Sequence, residues 1–165
     1  MKIAFVPPDL RRLDQLRCDV LALSFFQEER PLRGASGLVD WRLCGRLSRL
    51  LASGRLGGAA GELTLLPPRP RLPFDKLLLL GLGARSAFDD AAYAAALRST
   101  FAALASMRTH SVAMALPGRA TAAIAPDKAI TALLDLSGAA EQQDELVLIE
   151  DAEASKVMAP LTAKR

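Results

Sequence analysis

Two glycine-rich turns carry the residue types that could do binding chemistry in this chain. The first, Arg33-Gly34-Ala35-Ser36-Gly37, pairs glycines that let backbone amides approach a phosphate with an arginine that adds positive charge. The second is Gly81-Leu82-Gly83-Ala84-Arg85-Ser86, which follows an apolar run. It has the first two glycines of a Gly-x-Gly-x-x-Gly pattern, with Ser86 at the third place. Glycines in such turns also serve the backbone alone, so tight strand-to-helix turns are the competing reading of both segments. A third feature is basic: Arg42, Arg46 and Arg49 fall on one helical face and could meet nucleic-acid phosphates.

Catalytic constellations are otherwise sparse. The single histidine, His110, lies between a helix end and a strand, where capping of helix carbonyls is the expected role. Asp89-Asp90 and Asp144-Glu145 are adjacent acids at element starts, which read as caps and solvated turns rather than metal ligands. Cys18 and Cys44 stand apart from any Cys-x-x-Cys or Cys/His cluster and read as buried, reduced thiols. Trp41, the sole tryptophan, reads as a packing anchor. No His-Glu-x-x-His, phosphate-binding lysine loop or Gly-x-Ser-x-Gly elbow occurs, so neither catalytic residues, a metal site nor a cofactor is expected.

The elements that must position these residues follow from composition and pattern. With 165 residues, 51% of them hydrophobic, the chain can bury one sizeable core, which excludes a disordered or fibrous protein. Its charge is uneven, net +6 over residues 1–85 and −3 over residues 86–165, but the arginines are interleaved with Leu and Pro rather than massed. Neither a membrane-length apolar stretch nor a signal-peptide pattern is present, and a cytoplasmic location is expected.

Strands are expected over residues 2–6, 19–26, 62–66, 76–82, 111–116 and 145–149. Residues 19–26 and 77–80 are too continuously apolar for a one-sided strand and should be covered on both faces. The Pro67-Pro68-Arg69-Pro70 segment cannot join a ladder and forms a loop. Helices are expected over residues 38–51 (with Ser36 as N-cap and Leu43, Leu47 and Leu50 as its stripe), from Asp89-Asp90 to about Arg108, and over residues 126–136 with Gly138 just beyond. Residues 151–158 should add a terminal turn. Strands alternating with helices imply a three-layer α/β/α fold around a central mixed, mostly parallel sheet. One domain spans residues 1–159, with residues 160–165 as a tail.

The segments Glu29-Arg30-Pro31-Leu32, residues 34–51, Gly61-Glu62 and Leu72-Pro73-Phe74-Asp75-Lys76-Leu77-Leu78-Leu79-Leu80-Gly81-Leu82-Gly83 together resemble the N-terminal domain of the leucyl aminopeptidase family of metallopeptidases. That resemblance implies a macro-domain-like fold. It also implies peptidase chemistry in a separate C-terminal domain, with two metal ions, a lysine and an Asn-Thr-Asp-Ala-Glu-Gly-Arg-Leu motif. This chain contains no Asn, so the motif cannot occur in it. A non-catalytic module is therefore expected, contacting itself, as in the family's hexamers, or a separate aminopeptidase catalytic chain. The macro-like fold implies a second possibility, binding of ADP-ribose or another nucleotide at Arg33, Gly34, Ala35, Ser36, Gly37, Gly81 and Gly83. Nucleic acid at Arg42, Arg46 and Arg49 ranks third, and no membrane partner is expected.

Overall fold

Alternation of side chains along a strand sends consecutive residues to opposite faces, so an unbroken apolar run is stable only where both faces are covered. The strand Val20–Phe25 (β2) shows this directly. Leu21, Leu23 and Phe25 enter one core, while Val20 and Ala22 enter the other. Around it a computed structural model, describing residues 2–136 and 144–163, builds a six-stranded sheet. The remaining strands are Lys2–Val6 (β1), Leu63–Leu66 (β3), Lys76–Gly81 (β4), Ser111–Met114 (β5) and Glu145–Ile149 (β6). Their spatial order is β1-β6-β5-β2-β4-β3, and every pair is parallel except antiparallel β3–β4. β2 is central, as its apolar continuity requires.

Helices cover both faces, giving the expected three layers. On one side lie Gly34–Arg42 (α2) and Arg46–Ala52 (α3), through Val39, Leu43, Leu47 and Leu51. On the other lie Asp90–Ser106 (α4), Pro126–Asp135 (α5) and Ala152–Thr162 (α6). α4 starts at Asp89, whose carboxylate accepts the Ala92 amide, and buries Tyr93, Leu97, Phe101 and Leu104. α6 is a full helix that continues through Pro160, longer than the turn expected at residues 151–158. A short helix at Leu10–Leu13 (α1), capped by Asp9, carries too few apolar positions to show in the sequence. Gly138 lies outside the described residues.

Four sequence expectations fail around residues 38–51, two of them because the helix is broken. The segment is two helices, because Cys44 and Gly45 take left-handed backbone angles (φ 56° and 75°) and break the chain between them. The Asp40 carboxylate bridges the break by accepting the Leu47 and Ser48 amides at 2.8 and 3.1 Å and the Ser48 hydroxyl. Such capping repays the burial of a charge. Cys44, placed in that turn, is exposed rather than buried. Trp41, on the outer face of α2, is 72% exposed and anchors no core. Ser36 is inside α2 instead of at its N-cap, which is Arg33, and its hydroxyl donates to the Ser24 carbonyl at 3.3 Å.

Candidate functional site

In an open sheet of this kind the loops leaving the carboxyl ends of the strands gather at one edge. Here they are the segments after β1, β2, β4, β5 and β6. The first glycine turn lies after β2 and the second after β4, but they meet different neighbours. Gly34 (φ +56°) faces the turn after β5, where a Cβ would stand 2.8 Å from the Ala120 Cβ. A Cβ on Gly37 would fall 2.5 Å from the Leu32 carbonyl oxygen, and Ala35 and Ser36 are buried. Arg33 is exposed, and its amide donates to the Glu29 carboxylate at 3.2 Å. Glu29 is buried, which pushes its carboxyl above the usual range although the Arg33 amide and charge oppose that.

The second turn faces the residues leading into β3. The Gly81 amide donates to the Glu62 carbonyl, and its carbonyl accepts the Gly61 amide. The Gly83 amide donates to the Gly58 carbonyl, while its own carbonyl accepts from Gln27. Amides that would cradle a phosphate at Gly81 and Gly83 are thus already occupied by the chain. Opposite them the Glu62 carboxylate accepts the amides of Gly57, Gly58 and Ala59, at 3.0, 2.7 and 3.1 Å. The Gly57 bond foremost, these amides hold its carboxyl below the usual carboxylate range. Between the diverging ends of β2 and β5, the crevice bordered by Ser24, Thr100, Ala115 and Pro117 encloses about 10 Å³. That is room for roughly one water.

The sequence reading missed a buried ion pair at this edge. Arg119, in a 3-10 turn after β5, pairs with Glu150 at the end of β6 through Nε–Oε1 (3.1 Å) and Nη2–Oε2 (3.2 Å). Both side chains are at most 10% exposed, and Arg119 also donates to the Ile124 carbonyl. Burial raises the Glu150 carboxyl against the pull of Arg119. The positive φ of Gly118 and Ala122 bracket the turn that aims Arg119 inward. Nearby Tyr93 is buried and donates to the Ala129 carbonyl at 2.9 Å. The one hint in the sequence was Glu150-Asp151: Asp151 caps α6, leaving Glu150 without a capping role.

The three arginines of the basic flank are divided between two helices, and each bonds its own chain. Arg42 grips Asp14 with two hydrogen bonds (2.6 and 3.0 Å), Arg46 donates to the Pro67 carbonyl, and Arg49 donates to the Cys44 carbonyl. The His110 ring is exposed and stands 3.5 Å from Asp144 rather than on helix carbonyls. Among the described residues, no cluster of three or more His, Cys, Asp or Glu could hold a metal ion. No helix there is long and apolar enough to cross a membrane. Away from the strand ends, a groove of about 680 Å³ runs between α2 and the proline-rich loop, bordered by Pro31, Leu32, Trp41, Cys44 and Arg71.

The model of the cytosol aminopeptidase family's N-terminal domain matches residues 22–137. The chain belongs to this family. A probable cytosol aminopeptidase from Ralstonia pickettii is 35% identical over 100 residues, 61% of this chain and 20% of that protein. Another, from Thermosynechococcus vestitus, is 37% identical over 105 residues, again 20% of its length. The chain thus spans about a fifth of these aminopeptidases. Among solved structures, a mutant of tomato leucine aminopeptidase superposes with TM-score 0.66 at 18% identity, covering 96% of this chain and 35% of that one. A Trypanosoma brucei macrodomain in complex with ADP-ribose superposes with TM-score 0.73 at 15% identity, covering 97% and 68%. At such identities the likeness establishes the fold, which is macro-domain-like.

Proposed function

We propose that this aminopeptidase-family domain is a non-catalytic contact module of the cytoplasm, binding either a copy of itself or a separately encoded catalytic chain. The observation that carries the proposal is the family match, which falls on the N-terminal domain and not on the part that cuts peptides. In keeping with it, the glycine turns at the strand ends serve the chain's own backbone, while Trp41 projects into solvent. The relatives' name, cytosol aminopeptidase, supports the location. Light scattering coupled to size exclusion tests the reading, on the domain alone and mixed with a family catalytic chain. A stable dimer or mixed complex is expected, with no hydrolysis of leucine amides by the domain alone. A monomer that joins nothing overturns it.

A second reading, binding of ADP-ribose or another nucleotide at Arg33, Gly34, Ala35, Ser36, Gly37, Gly81 and Gly83, is favoured by one observation: a fold neighbour was solved with ADP-ribose. It requires the loops at the sheet edge to part. A ligand at ten times its Kd contributes about 1.4 kcal/mol, so millimolar ADP-ribose should raise Tm measurably. An unchanged Tm removes this reading.

A further inference from the structure

We infer that the groove between α2 and the proline-rich loop is a docking site for an acidic protein segment with an apolar anchor residue. This inference rests on the contact-module reading and names its surface. Trp41 borders the groove at 72% exposure, the most exposed large hydrophobic side chain among the described residues. Pro31 and the buried Leu32 continue the apolar lining. At about 680 Å³ the space lies within the roughly 300–1,000 Å³ typical of ligand pockets, enough for a few side chains of one segment. Exposed tryptophan beside arginine is the residue pairing in which binding energy concentrates at protein interfaces.

Charge selects the occupant. Of the two carboxylates beside the groove, Asp40 is buried and bonded to the α3 amides, and Asp14 is paired with Arg42. Arg71 on the rim is exposed and its guanidinium has no partner among the described residues; Arg30, next to Pro31, is likewise exposed. What faces solvent is therefore apolar surface with uncompensated positive charge, which complements carboxylates flanking an apolar side chain. Nucleic acid fits less well, because a phosphate backbone needs a run of free cations. Arg42, which lines the groove, and Arg46 and Arg49 on α3 all donate to the chain itself.

Because Trp41 is the only tryptophan, its fluorescence reports the site directly. The probe is a peptide of about a dozen residues alternating Glu and Leu, compared with its Lys-for-Glu counterpart and an oligothymidylate. The acidic peptide should shift Trp41 emission to the blue and saturate, with affinity falling as salt rises. By calorimetry, Arg71→Glu and Trp41→Ala, both surface changes, should each weaken binding about tenfold. Equal response to the lysine peptide, undiminished affinity in Arg71→Glu, or tighter binding of the oligothymidylate overturns the inference. So does a blue shift produced by protein concentration alone, which would assign the groove to a second copy. The two readings fail separately. A domain that joins a catalytic chain equally well as Trp41→Ala overturns this surface only; one that binds the peptide at Trp41 but joins no chain overturns the module only.

Discussion

Replacing Gly81 by Ala separates a backbone role for the second glycine turn from a ligand-cradling one. Gly81 is not in a left-handed conformation, so Ala is conformationally tolerated and, with open space around it, would stabilise by about 0.4–1 kcal/mol. The space is not open: the new Cβ would stand 2.2 Å from the Ala59 carbonyl oxygen and 2.6 Å from the Gly58 carbonyl carbon. Relief needs a backbone shift of about 1 Å, set against ordinary carbon contacts near 3.5 Å. Neither side yields easily. β4 is paired on both edges, and the Gly58 segment is tied by the Glu62 carboxylate and by the Gly83 amide. Overpacking of this kind costs about 3 kcal/mol at its upper end. For a domain of this length that lowers Tm by roughly 6–12 °C. The control is Gly54→Ala, at φ +72° with nothing within 4 Å of the new Cβ, where left-handed strain alone costs about 1 kcal/mol. Thermal melts by circular dichroism compare the two. A Gly81→Ala protein that melts with or above Gly54→Ala would refute the packing argument and return this glycine to the phosphate-cradle reading.

Other outcomes follow from the same geometry. Glu150→Gln and Arg119→Met should each destabilise by about 3–5 kcal/mol, since each leaves its buried partner unpaired, and the double variant should cost less than their sum; urea unfolding measures the cycle. Glu62 has a carboxyl held low in the folded state, so its contribution is present above the unfolded value and is lost as pH falls through the folded one. Stability measured from pH 7 to 3 should therefore decline less in Glu62→Gln than in the parent. With a thiol reagent under native conditions, exposed Cys44 should react at once. Cys18, whose thiol is pushed up to about 11 chiefly by burial, should react only after unfolding, and two fast thiols would contradict the fold around it.

The layers of the fold were readable because the pattern that produces them is local. The apolar continuity of β2 and β4 announced strands covered on both faces, and Asp89 announced the start of α4. What stayed hidden depends on partners remote in sequence. The stripe Leu43, Leu47, Leu50 keeps helical spacing across the break, so periodicity alone joined two helices into one; only Gly45 within the pattern signalled otherwise. Trp41 looked like an anchor by residue type, but its side of α2 faces away from the sheet. Arg119 and Glu150 come together because β5 and β6 are neighbours, a fact fixed by sheet order and not by either segment. At the candidate site the glycines were legible as glycines, whereas their neighbours, Ala120 and the Gly58–Ala59 backbone, belong to other loops.

The sheet order has one more consequence. β1, the first strand of the chain, is hydrogen-bonded to a single neighbour, and that neighbour is the last strand, with its residues only partly buried. Closing a loop of that length carries an entropic penalty that no local contact offsets until β6 is in place. The amino-terminal strand is therefore expected to join late and to leave early. Its amides should exchange with deuterium well ahead of those in β2, marking a seam along which the rest of the sheet can persist while one margin peels away.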